Sequence, residues 1–109
     1  MTFLDKLSSK IKSHKEKELE DSYVASLNKA GLNKILEKVG EEAIELIIAA
    51  KEGGQPEKKK EVAKETADLW FHCLVLLDQF DLSASDVLDE LEARAGKSGL
   101  QEKSERGPK

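Results

Sequence analysis

Cysteine and proline are scarce in this chain, and long apolar runs are missing. The one cysteine, Cys73, excludes an intrachain disulfide and a cysteine-rich zinc site. It stands in an apolar run and reads as a small core residue. Two prolines in 109 residues leave room for long helices. No stretch approaches the ~18 apolar residues of a membrane span. The start, Met1-Thr2-Phe3-Leu4-Asp5-Lys6, has no apolar core of the kind a signal peptide carries. A cytoplasmic protein with no membrane partner is therefore expected. Positive charge is also short. The formal net charge is -4, without the basic signature of a nucleic-acid binder, so no nucleic-acid partner is expected.

What is present is charge and periodicity. Charged residues make up 37% of the chain and hydrophobic ones 39%, a balance that suits solvated amphipathic helices. The length suits one domain. Residues 1–20 form a charged N-terminal segment. Leu4, Leu7 and Ile11 there fall at helical spacing, but Ser8-Ser9 and the Lys/Glu run weaken the case for a short helix. Residues 21–95 carry the main helical pattern. Asp21 or Ser22 can cap a helix bearing Tyr23, Val24 and Leu27, with Gly31 as its stop. A second helix opens near Asn33, with Leu36, Val39, Ala43, Leu46 and Ala50 as its apolar seam. Gly40 lies inside it at a cost of about 1 kcal/mol relative to alanine, a place where a backbone or ligand often comes close. Gly53-Gly54-Gln55-Pro56 is a break.

The next helix carries Val62, Thr66, Leu69, Cys73, Leu76 and Phe80 as its seam, and from Leu69 to Leu77 it is apolar nearly all round. Such a helix needs more cover than a few short neighbours provide. Ser83-Ala84-Ser85-Asp86 resembles a capping box before a last helix whose Val87, Leu88 and Leu91 face inwards and which Gly96 ends. The expected fold is all-α: an antiparallel bundle of four or five helices per chain, completed by homodimerisation. Residues 96–109 form a basic, glycine-containing tail.

Beside each seam runs a polar row. One holds Lys38, Glu42 and Glu45; the other holds Glu61, Glu65, Asp68 and His72. Spacings of three and four put Glu42 with Glu45, and Glu65 with Asp68, on common faces. If the two helices run antiparallel, the pairs can meet near one level. Four clustered carboxylates repel, and divalent cations relieve that repulsion; all-oxygen ligation suits magnesium, with manganese as a substitute. Two such ions could bridge phosphate oxygens and activate a water. The plainer reading is a set of solvated surface acids. A di-iron bundle would need Glu-x-x-His, which does not occur. His72 reads as a hydrogen-bonded core residue and His14 as a solvated one. Lys38 can meet phosphate oxygens, or simply bridge to Glu42 four residues on.

The run Lys38-Val39-Gly40-Glu41-Glu42-Ala43-Ile44-Glu45, followed by Glu65-Thr66-Ala67-Asp68-Leu69 and His72, resembles the phosphoribosyl-ATP pyrophosphatase family, within the all-α, MazG-like nucleoside-triphosphate pyrophosphatases. The acidic motifs indicate the superfamily. Gly96-Lys97-Ser98-Gly99-Leu100, then Glu102-Lys103 and Arg106, resembles the histidine-biosynthesis branch more specifically. The resemblance implies hydrolysis of phosphoribosyl-ATP to phosphoribosyl-AMP and pyrophosphate, the second step of histidine biosynthesis, in a homodimer. It implies magnesium held by Glu42, Glu45, Glu65 and Asp68, with Glu41 helping to place a water or a metal. Phosphate-binding cations are expected at Lys38, Arg94, Lys97, Lys103 and Arg106, with Ser98 between them. From residue 94 onwards five cations face two acids, so the tail can fold over substrate or remain a disordered basic terminus. Two other functions fit the acidic motifs: a house-cleaning pyrophosphatase for free nucleotides, and a helical oligomerisation module without catalysis.

Overall fold

The computed structural model describes residues 2–17, 22–52 and 54–96, with the backbone alone for 14–17. Among these residues five α-helices follow one another: α1 (Phe3–Lys17), α2 (Tyr23–Ala30), α3 (Leu32–Lys51), α4 (Lys59–Gln79) and α5 (Ala84–Ala95). A 3-10 turn, Pro56–Lys58, leads into α4, and no strand occurs among the described residues. The all-α expectation holds. No described helix is long and apolar enough to cross a membrane. His14's side chain, like the tail from residue 97, lies outside the described residues.

The charged N-terminal stretch is a helix over 3–17. Thr2 and Asp5 start it: the Asp5 carboxylate accepts from the Thr2 N–H at 3.1 Å, and the Asp5 N–H donates to the Thr2 hydroxyl at 3.1 Å. Ile11, only 2% exposed, anchors α1 in the core with Leu4 and Leu7 packed against it. Ser8, a residue that weakens the helix reading in sequence, turns out to serve another helix. Its hydroxyl accepts from the Ala84 N–H, the first of α5, at 3.0 Å. Ser22 caps α2 by accepting from the Ala25 N–H at 3.2 Å, while Asp21, the other candidate, lies outside the described residues. Gly31 stops α2 and opens α3 at a φ of 103°, which a side chain would strain. It takes the cap position that sequence assigns to Asn33.

The main unit is the α3–α4 hairpin. Glu52 meets Lys58 at 3.9 Å near its turn, and Glu45 meets Glu65 further along. Both pairs fit one antiparallel register, which sets Glu42 level with Asp68, Lys38 with His72, and Ile35 with Val75. The last two are both 0% exposed. The buried line of α3 is thus Ile35 and Glu42, with Val39 and Leu46 half-buried; Leu36 and Ala50 of the expected seam are exposed. On α4 the buried residues are His72, Leu74, Val75 and Asp78, while Phe80 of the expected seam is exposed. Val87 and Leu91 of α5 are also exposed, contrary to expectation, and only Leu88 is half-buried. The reason is the same each time. Among the described residues, the chain covers one side of these helices and leaves their second apolar side exposed.

The C-terminus of α4 closes on Asp81, at a φ of 58°. The Leu82 N–H returns to the Leu77 carbonyl at 3.0 Å, a left-handed helix cap that favours glycine. Asp81→Gly should relieve more strain than it adds in unfolded-chain entropy, raising stability by about 0.5 kcal/mol and the melting temperature by roughly 2–4 °C. A thermal melt that shows no rise would contradict this account of the turn.

Candidate active site

Helices α3 and α4 bring Glu42, Glu45 and Glu65 together. One carboxylate oxygen from each lies within 4.8 Å of the others. The positions follow from sequence: Glu42 and Glu45 share a face of α3, and Glu65 faces them across the hairpin. Glu42 lies within the buried stripe rather than beside it, at 7% exposure. Glu65 is half-buried and Glu45 exposed. Asp68, the fourth expected ligand, stands outside the 4.8 Å trio, yet its charge reaches both Glu42 and Glu65.

Oε2 of Glu42 and Oε2 of Glu65 are buried and have no hydrogen-bond partner among the described residues. Burial, more than any other cause, holds both carboxyls above the ordinary carboxylate range. For Glu42 the Glu45 and Asp68 charges add to it, against His72 and Lys38. For Glu65 the charge of the facing Glu45 adds to it, with the Asp68 and Glu42 charges behind. Among the described residues these two buried acceptor oxygens have no donor. Hard carboxylate donors of this kind fit magnesium or manganese, so the residues present suit the ion expected from sequence.

The shifts give a sign to the pH dependence. A carboxyl whose folded pKa is raised holds its proton more tightly folded than unfolded. Its stabilising contribution is full below the unfolded value, about 4.3, and is lost as pH rises through the folded value. The metal-free protein should therefore lose melting temperature from Glu42 and Glu65 as pH rises above about 4.3. Magnesium bound there would compete with those protons, so it should raise the melting temperature more at pH 8 than at pH 5. Equal rises at both pH values, or none, would contradict the site.

Lys38 stands one turn from the trio. Its ammonium donates to Glu41 Oε2 at 3.1 Å and lies 3.8 Å from Glu42 Oε1. The bridge to Glu42 considered in sequence thus forms, joined by a shorter one to Glu41. Arg94, near the end of α5, bonds Glu90 on its own helix at 2.9 Å. Lys97, Ser98, Lys103 and Arg106 lie outside the described residues. On the other side of the trio a hollow of about 420 Å³ opens beside Glu45 and Glu65, lined further by Ile48, Glu52, Lys58 and Glu61. A larger one, about 510 Å³, is lined from α1, the end of α4 and the start of α5, with no α3 residue, and so does not share the carboxylates.

One polar contact at this site is not legible in the chain. Tyr23, which sequence places only on an apolar face, bonds His72 Nε2 through its hydroxyl at 2.8 Å. His72 is the hydrogen-bonded core residue expected. Its partner is hidden because the two lie 49 residues apart and on helices whose packing the periodicity does not determine.

A hairpin of two helices presenting clustered acids, with a lysine at one end and a hollow at the other, suits a phosphate-bearing substrate. The family model described as phosphoribosyl-ATP pyrophosphohydrolase matches residues 4–95, from the first turn of α1 to the end of α5, and the chain belongs to that family of hydrolases of histidine biosynthesis.

Proposed function

We propose that the chain hydrolyses phosphoribosyl-ATP to phosphoribosyl-AMP and pyrophosphate, with magnesium held by Glu42, Glu45, Glu65 and Asp68. The observation that carries this reading is the pair of buried oxygens, Glu42 Oε2 and Glu65 Oε2, with no donor among the described residues, in a chain of this family. Bound there, magnesium would neutralise charge on the triphosphate and make a water acidic enough to attack between the α and β phosphates. The chain's own residues supply the rest. Lys38 offers an ammonium at the end of the carboxylate row and can exchange Glu41 for a phosphate oxygen. Glu41, left without that lysine, becomes a free carboxylate beside the site and can orient the water. Arg94, Lys97, Ser98, Lys103 and Arg106 would bring cations and N–H groups over the phosphates from the C-terminal side.

A homodimer in the cytoplasm belongs to the same reading. Among the described residues, twelve large hydrophobics are exposed, against seven hydrophobics in the core. Leu36, Ile44 and Ile47 line the side of α3 that faces away from Ile35 and Glu42, and a side chain at Gly40 would meet no neighbour within 4 Å. A contiguous apolar face of this kind calls for a partner, and a second copy with the same face suits it.

The test is product analysis. Purified protein should convert phosphoribosyl-ATP to phosphoribosyl-AMP and pyrophosphate with magnesium and not after chelation. Hydrolysis of free nucleoside triphosphates but not of phosphoribosyl-ATP would overturn the substrate. No hydrolysis of either would leave the helical oligomerisation module.

A further inference from the structure

The hollow at the turn end of the α3–α4 hairpin has chemistry that the reading above leaves unused. Beyond Glu45 and Glu65 it is lined by three more acids, Glu52, Glu57 and Glu61, and Lys58 is the one cation among its lining residues. Ile48 and Ala49 give it an aliphatic wall. Its volume, about 420 Å³, is that of a small-molecule site. Glu57 and Glu61 make no hydrogen bond or ion pair among the described residues. Lys58 meets Glu52 at 3.9 Å with side chains 43% and 59% exposed, so it can leave that partner at little cost. Lys51, Lys59 and Lys60 stand exposed around the same turn. With Lys58 they set four cations against the three acids, which keeps this end open to an anion.

Along α3 the order is Lys38, then Glu42 and Glu45, then Glu52 with Lys58 beside it. The trio thus has one cation on each side, and the hollow lies before the second. Glu45 and Glu52 are seven residues apart on the helix, about 10 Å along its axis. Phosphoribosyl-ATP has a matching layout. It differs from ATP by a second ribose phosphate, carried on the adenine. Its triphosphate and its single phosphate are therefore separated by two riboses and a purine. Each part finds its complement here. Carboxylates accept from hydroxyls, so Glu57 and Glu61 suit the riboses, the aliphatic wall suits the purine, and an ammonium suits the far phosphate.

We propose that the hollow holds the sugars and base of phosphoribosyl-ATP and that Lys58 receives the phosphate of the second ribose, so that Lys58 distinguishes this substrate from free ATP. This rests on the reading of the trio as the place where phosphoribosyl-ATP is hydrolysed. Lys58 takes no part in cleavage. It exchanges Glu52 for the phosphate and fixes which end of the substrate lies in the hollow.

The test is steady-state hydrolysis of phosphoribosyl-ATP with magnesium, with free ATP added as a competing ligand. Lys58→Met should raise KM for phosphoribosyl-ATP about 3- to 10-fold with kcat little changed, the mark of binding lost equally from ground and transition states. The inhibition constant of ATP, which lacks the second phosphate, should stay within about twofold of the parent's, since it makes no contact there to lose. Lys58→Arg keeps the charge and should lie near the parent. The melting temperature of Lys58→Met should match the parent's, because an exposed ion pair contributes little to stability. An equal loss for phosphoribosyl-ATP and ATP would overturn the inference, since Lys58 would then act on the shared triphosphate. An unchanged KM in Lys58→Met would overturn it and leave the hydrolysis in place. A parent protein that hydrolyses ATP but not phosphoribosyl-ATP would remove the underlying reading, and the inference with it.

Discussion

Glu65→Gln is expected to abolish most activity while leaving the helices standing. The substitution keeps the shape of the side chain and removes one charge. That charge sits where burial and the Glu45, Asp68 and Glu42 carboxylates all oppose it. Without metal, the variant should melt no lower than the parent and even somewhat higher, because a repulsive charge is gone. With magnesium the order reverses. The parent gains stability by binding the ion, and the variant, short of one ligand, gains less. The fall in kcat/KM should be about a hundredfold or more, since disturbing even the groups around a metal's ligands costs ten- to a hundredfold. Circular dichroism beside the assay separates loss of chemistry from loss of fold. Full activity in Glu65→Gln would remove the carboxylate from the site. Collapse of the helices without metal would show that its charge is structural.

The second large effect concerns the uncovered face of α3. Ile47 is 61% exposed in the single chain, and Ile44 and Leu36 continue its face. A second copy packed there by two-fold symmetry would bury each isoleucine twice, once per subunit. Ile47→Asp then places two charges in an apolar interface. The dimer dissociation constant should rise roughly 100- to 1000-fold, as for truncation of a central anchor. Light scattering during size-exclusion chromatography should read twice the chain mass for the parent at micromolar concentration and the single mass for the variant. A parent protein of single mass, or a variant that still runs as a pair, would show that another partner covers this face.

Much of the fold is legible in the chain. Gly31 marks the α2 stop, Ser83 with Asp86 starts α5 as a capping box, and Gly96 ends it. These are local signals, carried by residues close in sequence, and local physics suffices for them. The acids were also legible, because spacings of three and four put Glu42 with Glu45, and Glu65 with Asp68, on helical faces whatever packs on them. Which side of each helix turns inward was not. On α3, both the inward line through Ile35 and the outward one through Ile44 and Ile47 are apolar, and the inward line contains Glu42. An apolar seam drawn through such a helix runs along neither face, as the exposure of Leu36 and Ala50 shows.

By itself, then, the amino-acid sequence determined the helices after residue 21, most of their ends and the acidic rows, since each depends on neighbours within a turn or two; the helix over 3–17 and the Gly31 start of α3 came from the structure. Only the tertiary structure decided that Glu42 is buried, that Glu65 joins it and Glu45 while Asp68 lies outside that trio, that Ser8 caps α5, and that the Tyr23 hydroxyl meets His72 Nε2. Each of those rests on the register and rotation of one helix against another. Packing sets these through contacts between residues far apart in the chain, to which local periodicity is blind.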